Sequence, residues 1–268
     1  MSSPQLRFKE FNEPWDEKTI GKFIDEFRLG GNYSNTESKT PFPLIKMGNL
    51  DRGFIKLNKI EYIEHTEKID SKDKIEFGDL FFNTRNALDL VGKVAIWRNE
   101  LPCAYYNSNL MLMKFSNNFF MNYRLNSYDA VKKLRAIATG TTSVAAIYNK
   151  DFFKVKLKIP TLPEQTKIAN FLTAVDEKIA QHTQKGDLLA RYKKGVMQHI
   201  FSQQLRFKDN DGREFPEWEV VELRDIGTFF SGGTPLTTRK DFYDGEIPFI
   251  KSGELALNST AQYINLWC

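Results

Sequence analysis

Two cysteines and three histidines are all that this 268-residue chain has of those residue types. Cys103 and Cys268 offer neither a disulfide framework nor metal-ligand spacing. His65, His182 and His199 are scattered, so no zinc site and no histidine-based catalytic centre is expected. No run approaches the roughly 18 apolar residues of a membrane span. The first ten residues, MSSPQLRFKE, lack the apolar stretch of a signal peptide. A cytoplasmic protein with no membrane partner is therefore expected. The phosphate-cradling GxxxxGK(S/T) and GxGxxG loops are missing. So are the GxSxG elbow and the HExxH helix. No Pro-Pro pair occurs, which removes the polar-Pro-Pro-aromatic turn that an amino-methyltransferase uses to grip an exocyclic amine. Asp70-Ser71-Lys72 and Glu17-Lys18 are acid–lysine neighbours of the kind chance supplies in a chain that is 27% charged, not a nuclease centre. The chain reads as non-catalytic.

What is present supports a folded protein. Hydrophobic residues make up 41% of the chain and aromatics 13%, enough for a real core. The length allows one large or two ordinary domains. A net charge of +4 permits a polyanionic partner and is equally that of an ordinary basic protein.

The chain also repeats itself. QLRFK at 5–9 recurs at 204–208; Pro14-Trp15 is echoed by Pro216-Glu217-Trp218, and PLIKMGNL (43–50) by PFIKSGEL (248–255). A period of about 200 residues is too long for a solenoid unit. It marks two copies of a whole domain, and the second copy breaks off at Cys268. A truncated or half-length form, completed by a second molecule, is expected.

Three segments follow from the patterning: residues 1–160, 161–203 and 204–268. The first is expected to be a mixed α/β (α+β) domain. Its candidate strands are Phe54–Leu57, Lys74–Phe77, Leu80–Phe82, Val91–Trp97 and Asn109–Phe115, with turns at Gly78-Asp79 and Gly92. Leu110 to Met113 is apolar at consecutive positions, the mark of a strand buried on both faces. A helical stretch from about Asn117 to Thr139 shows three- and four-residue apolar spacing with one gap of five, and Gly140 stops it.

The second segment is a single long helix. Thr161-Leu162-Pro163-Glu164 reads as a capping box with proline in the first turn. Ile168, Leu172, Val175, Ile179, His182, Gly186, Leu189, Lys193, Val196 and Ile200 then follow alternating 4–3 spacing, a coiled-coil seam interrupted at His182 and Gly186. Roughly forty residues give a rod of about 60 Å. Such a helix needs a partner along its apolar stripe, and a homodimer through Ile168, Leu172, Val175, Ile179, Leu189, Val196 and Ile200 is one way to supply it. The third segment, an incomplete second domain, is expected to expose Phe229, Phe230, Phe242, Phe249 and Trp267.

Polar and cationic residues on expected turns are the candidate nucleic-acid contacts. They are Asn83, Arg85 and Asn86 between two apolar strands; Lys46, Asn49 and Arg52; Asn32 and Tyr33 in a Gly-rich turn; and Thr141 and Ser143 after the helix stop. Arginine and lysine read guanine, asparagine reads adenine, and hydroxyls hold phosphates. Each also reads plainly as a solvated loop residue. Arg85 leads, because a charged tip on a rigid apolar hairpin is pre-positioned.

Several stretches together resemble the DNA specificity subunit of type I restriction–modification systems. They are Gly232 to Pro235 followed by Asp244 to Ile250 and Gly253-Glu254-Leu255; Phe77 to Phe81 followed by Val91 to Ala95; and Ile159 to Gln165 leading into Lys167-Ile168-Ala169 and Asp176 to Ile179. The resemblance implies a target-recognition domain followed by a long spacer helix, with double-stranded DNA as ligand. It implies methyltransferase subunits and an endonuclease–translocase subunit as partners, and adenine methylation and cleavage carried out by them at a bipartite site. No cofactor is expected in this chain; S-adenosylmethionine, ATP and magnesium would belong to the partners. The alternative is a structural or regulatory protein that docks on the methyltransferase without reading DNA.

Overall fold

The computed structural model describes residues 6–234 together with 236, 238 and 239. Gln5, Pro235, the 248–255 echo, the stretches at 244–250 and 253–255, Phe242, Phe249, Trp267 and Cys268 lie outside the described residues. The chain divides into two compact units, Met1–Gly195 and Val196–Cys268.

In chain order the strands are β1 (Asp16–Thr19), β2 (Ile24–Leu29), β3 (Asn35–Thr36), β4 (Pro43–Ile45), β5 (Glu61–Ile63), β6 (Leu80–Asn83), β7 (Arg85–Asn86), β8 (Val94–Ile96), β9 (Tyr105–Tyr106), β10 (Leu110–Phe115), β11 (Thr139–Gly140), β12 (Ala145–Ala146) and β13 (Lys156–Ile159). The helices are α1 (Asn118–Asn126), α2 (Tyr128–Ala136), α3 (Asn149–Phe152), α4 (Leu162–Phe201) and α5 (Leu223–Ile226). This is the mixed α/β architecture with one long helix that the sequence indicates.

The first unit is organised around an antiparallel sheet of order β2-β10-β6-β8. Successive side chains of a strand point to opposite faces, and here both faces are covered. Met111, Met113, Leu80, Phe82, Val94 and Ile96 enter one core with Phe120, Met121 and Leu125 of α1, Leu134 of α2 and Phe152 of α3. Leu110, Leu112, Phe81, Ala95 and Trp97 enter a second core with Ile45, Leu50, Ile75 and Tyr106. The consecutive apolar run at 110–113 is thus a strand wall shared by two cores. Each fully buried side chain of this size contributes about 1.5–3 kcal/mol. The second core is closed by a smaller sheet of order β3-β5-β4-β9, in which β4 and β9 run parallel.

Several local expectations are corrected. Phe54–Leu57 is not a strand; the chain turns at Gly53 (φ +93°) and makes only the isolated bridges Leu50–Ile55 and Gly53–Ala95. Lys74–Phe77 is likewise irregular, with a single bridge from Lys74 to Tyr105. The strand at 91–97 is only Val94–Ile96, because Gly92 sits at φ +74°. The expected helix from 117 to 139 is two helices. Ser127 breaks it with ψ 152°, its hydroxyl donating to the Arg124 carbonyl at 2.7 Å. The break falls inside the five-residue gap between Tyr123 and Tyr128.

The long helix spans Leu162–Phe201. Glu164, expected to cap its own helix, instead accepts hydrogen bonds from Arg7 and from the Trp15 indole. Ala169 is buried, and Ile168 packs against the first core. Farther along, Tyr123 donates to Asp176 at 2.7 Å. Residues 174–194 are all exposed. Ile168 therefore belongs to the chain's own core rather than to a seam for another helix. Val175, Ile179 and Leu189 stand free at 40%, 59% and 56% exposure.

In the second unit the repeat is local structure as well as sequence. Arg206 donates to the carbonyl of Phe215, just before Pro216, at 2.8 Å. In the first unit Arg7 donates to the carbonyl of Glu13, just before Pro14, at 2.6 Å. Phe201 meets Trp218 edge-on at 6.0 Å. Phe229 and Phe230 are exposed, as expected.

Candidate nucleic-acid interface

The antiparallel register brings the end of β2, the end of β6 and the start of β10 to one edge of the central sheet, with Leu29 opposite Met111 and Leu110 opposite Asn83. The loops leaving that edge are tied together through their backbones. Gly30 N–H donates to Leu110 O, and Ser108 N–H to Gly31 O. Thr84 donates to Asn109 O from both its amide and its hydroxyl, and Ile147 N–H donates to Thr84 O. Between them lies a cleft of about 610 Å³. Its walls include Leu29, Arg85, Ser108, Asn109, Tyr148, Asn149 and Lys150.

Arg85 is exposed at this cleft but is not the tip of a tight hairpin. It belongs to β7, which leaves the β6–β8 connection and pairs with β12, so that Arg85 faces Ala146 in register. Its N–H donates to the Asn83 side chain at 3.2 Å. Asn83 is itself fully buried and therefore anchors the arginine's backbone from beneath. Asn86 accepts from Ala87 N–H. Thr141 and Ser143 share a hydroxyl contact of 3.2 Å in the exposed turn between β11 and β12, in the same small sheet as Arg85. Asn32 is exposed on the Gly30–Tyr33 turn, which bridges to Asn107. These residues converge on one end of the domain.

Others do not. Asn49 is 5% exposed. Its oxygen accepts from Lys46 N–H, and its nitrogen donates to the carbonyls of Lys56 and Lys59, so it is a clasp for its own loop. The Lys46 ammonium is paired with Glu61 at 2.8 Å. Tyr33 donates to Asp73 and accepts from Asp70 N–H, and burial together with Asp73 pushes its hydroxyl up to about 12. Asp73 also holds Arg28 at 2.6 Å, and Arg28 lies 5.6 Å over the Tyr106 ring. Tyr33 thus braces the turn that carries Asn32. Arg52 lies in a separate cavity on the α4 side of the domain.

Asn109, Tyr148, Asn149 and Lys150 line the cleft although nothing in their sequence context marks them. They reach it by the pairing of β12 with β7 and of β10 with β6, long-range registers that local periodicity does not carry. Among the described residues, no group of three or more His, Cys, Asp or Glu could hold a metal, and no helix is long and apolar enough to cross a membrane.

An exposed arginine, a lysine, two asparagines and an open tyrosine around one rigid cleft form a surface suited to nucleic acid. Residues 12–191 match the family model described as type I restriction modification DNA specificity domain. The MjaX type I restriction enzyme specificity subunit of Methanocaldococcus jannaschii is 25% identical over 254 residues, 90% of this chain and 60% of that protein. The MjaVIII specificity subunit of the same organism is 29% identical over 44% of this chain and 28% of its own length. The crystal structure of the type I restriction–modification S subunit from M. genitalium shares the fold, with a TM-score of 0.53 and 16% identity over 75% of this chain and 49% of that one. The chain thus spans 60% of the MjaX subunit and about half of the solved S subunit. With two thirds of its length matched to that one family model, the chain belongs to the type I restriction modification DNA specificity domain family.

Proposed function

We propose that this chain reads one half of a bipartite site in double-stranded DNA through the Arg85 cleft. It takes no catalytic part itself and directs adenine methylation and cleavage by methyltransferase and endonuclease–translocase subunits. S-adenosylmethionine, ATP and magnesium would be used by those subunits. The observation that carries the reading is Arg85, exposed at the cleft yet fixed by strand pairing and by buried Asn83. A guanidinium carried on so fixed a backbone matches the paired acceptors of guanine in the major groove, a contact worth about 1–3 kcal/mol of discrimination. Lys150 beside it supplies the salt-dependent phosphate attraction that carries no sequence information. The exposed middle of α4 serves as spacer and as the face for a second helix, from another copy of this chain or another half.

The test is modified-base sequencing of DNA from cells that co-express this chain with its cognate methyltransferase subunit. Methyl-adenine at an interrupted palindrome means that two copies form a symmetric reader. An asymmetric bipartite motif means pairing with a different half. No methylation with both proteins soluble overturns the reading.

A further inference from the structure

The tip between β9 and β10 carries one side chain that the scaffold does not use. Asn107 to Leu110 close a tight turn, with Leu110 N–H donating to the Asn107 carbonyl at 3.0 Å. The turn is held from three sides. Asn107 N–H donates to Ile45 O, Ser108 N–H donates to Gly31 O, and the Asn109 carbonyl accepts from both the amide and the hydroxyl of Thr84. Thr84 is the chain neighbour of Arg85, so the backbone of Asn109 is tied to the segment that carries the arginine. Gly31 is itself wedged: a Cβ there would strike the Tyr33 ring and come within 2.6 Å of the Asp73 carboxylate. Asp73 is buried and holds Arg28 as well.

Turns use asparagine side chains to cap their own backbone. Here Asn107 does so, its Oδ1 accepting from the Asn109 amide at 3.3 Å. The Asn109 carboxamide makes no hydrogen bond among the described residues, and the residue lines the Arg85 cleft half-buried. Only two side-chain torsions separate this carboxamide from a fixed backbone, so it sweeps a far smaller volume than an arginine or lysine head. It offers an acceptor and donors side by side. A phosphate has acceptors only and engages half of such a group. Adenine engages the whole of it in the major groove, where N7 accepts and the N6 amino group donates. Asn149 also lines the cleft, but it opens the four-residue α3, and its carbonyl accepts from Phe153 N–H rather than from the Arg85 segment.

We propose that Asn109 is a second base-reading residue of the cleft, taking adenine in the major groove through its carboxamide while Arg85 takes guanine in the same half-site. The inference rests on the proposed function and adds a residue and a base to it.

The experiment co-expresses the full chain with its cognate methyltransferase subunit and reads the methylated motif by modified-base sequencing. Wild type is compared with Arg85→Ala, Asn109→Ala, Asn109→Asp and Asn149→Ala, and the melting temperature of each purified chain is recorded. Positive φ among the described non-glycine residues is confined to Asn99 and Gln203, so alanine and aspartate both suit the backbone at position 109. Asn109→Ala is expected to relax one adenine position of the motif, with discrimination there falling about tenfold or more. Asn109→Asp keeps the acceptor and loses the donors, so the preference at that position should move from adenine toward cytosine, whose N4 amino group donates. A packing role for Asn109 would not produce that change of base. A motif unaltered by both Asn109 changes overturns the proposal. So does methylation weakened at every site alike, which makes Asn109 a phosphate contact, and so does relaxation of the adenine position by Asn149→Ala in place of Asn109→Ala. Arg85→Ala that relaxes a guanine position while Asn109→Ala relaxes none removes this inference and leaves the proposed function standing. Wild type that directs no methylation overturns the proposed function itself.

Discussion

Arg7 and Glu164 stand 157 positions apart in the chain and meet through two hydrogen bonds of 2.7 Å, with the Trp15 indole adding a third donor at 3.2 Å. The carboxylate side chain is 1% exposed. This contact fastens the start of the chain to the first turn of α4. Glu164→Ala should lower the melting temperature by roughly 5 °C, because it strands the guanidinium and the indole N–H. The paired replacement Arg7→Met with Glu164→Leu should recover part of that loss. A double change that costs the sum of the two single ones would show that the groups do not interact.

Arg85→Ala should reduce discrimination at one position of the DNA site by about 1–3 kcal/mol. Lys150→Ala should weaken binding to all sequences alike and reduce the salt slope by about one. Titrations against site variants at several salt concentrations separate the two. Equal effects of both changes on every sequence would remove Arg85 from base reading.

Gly30→Ala should abolish DNA reading by moving the loops rather than by removing a contact. A methyl group there would lie 2.7 Å from the Asn107 carbonyl and against that of Tyr106, both backbone atoms with little freedom to yield. Gly48→Ala meets nothing within 4 Å and should be neutral. Affinity measured side by side checks this pair.

Stability should carry an acid limb from Asp51. Hydrogen bonding to Lys56, then the Arg52 amide and the charge of Lys93, hold its pKa at about 2, below the ordinary 3.8. A carboxylate with a depressed folded pKa contributes stability that is present above its unfolded pKa and lost as pH falls toward 2. Allowing for solvent screening at this partly exposed pair, Asp51→Asn should cost about 1 kcal/mol at pH 7. The gap to wild type should close between pH 4 and about 2. Urea unfolding at several pH values measures it; a gap independent of pH would assign the loss to packing.

Under the proposal that a second copy of this chain supplies the partner helix, Leu189→Lys should reduce self-association without lowering the stability of the free chain, since Leu189 is 56% exposed. Sedimentation together with thermal melting reads the two effects separately. Unchanged self-association would exclude this seam position.

The elements that could be read from sequence are those whose signal is local. Leu110 to Met113 announced a doubly buried strand by composition alone, and α4 announced itself by its proline-led start and its spacing. β2 was invisible because it is an edge strand whose residues Asp25, Glu26, Phe27 and Leu29 are all exposed, which leaves no alternation of apolar and polar positions to read. The break at Ser127 left one trace, an apolar gap of five. At the candidate interface, local patterning singles out Arg85 by its flanking apolar strands but not Tyr148 and Lys150, which reach the cleft because β12 pairs with β7 from some sixty residues away. Asn49 and Tyr33 looked like free loop polars, and only tertiary contacts show them bound to their own scaffold.

The strand wall between the two cores has an evolutionary consequence. Met111 and Met113 answer only to the helical layer, while Leu110 and Leu112 answer only to the layer built on Ile45 and Tyr106. Neighbouring positions in β10 should therefore drift independently among relatives, each co-varying with its own side of the sheet. One layer can be remodelled over generations while the other keeps its shape.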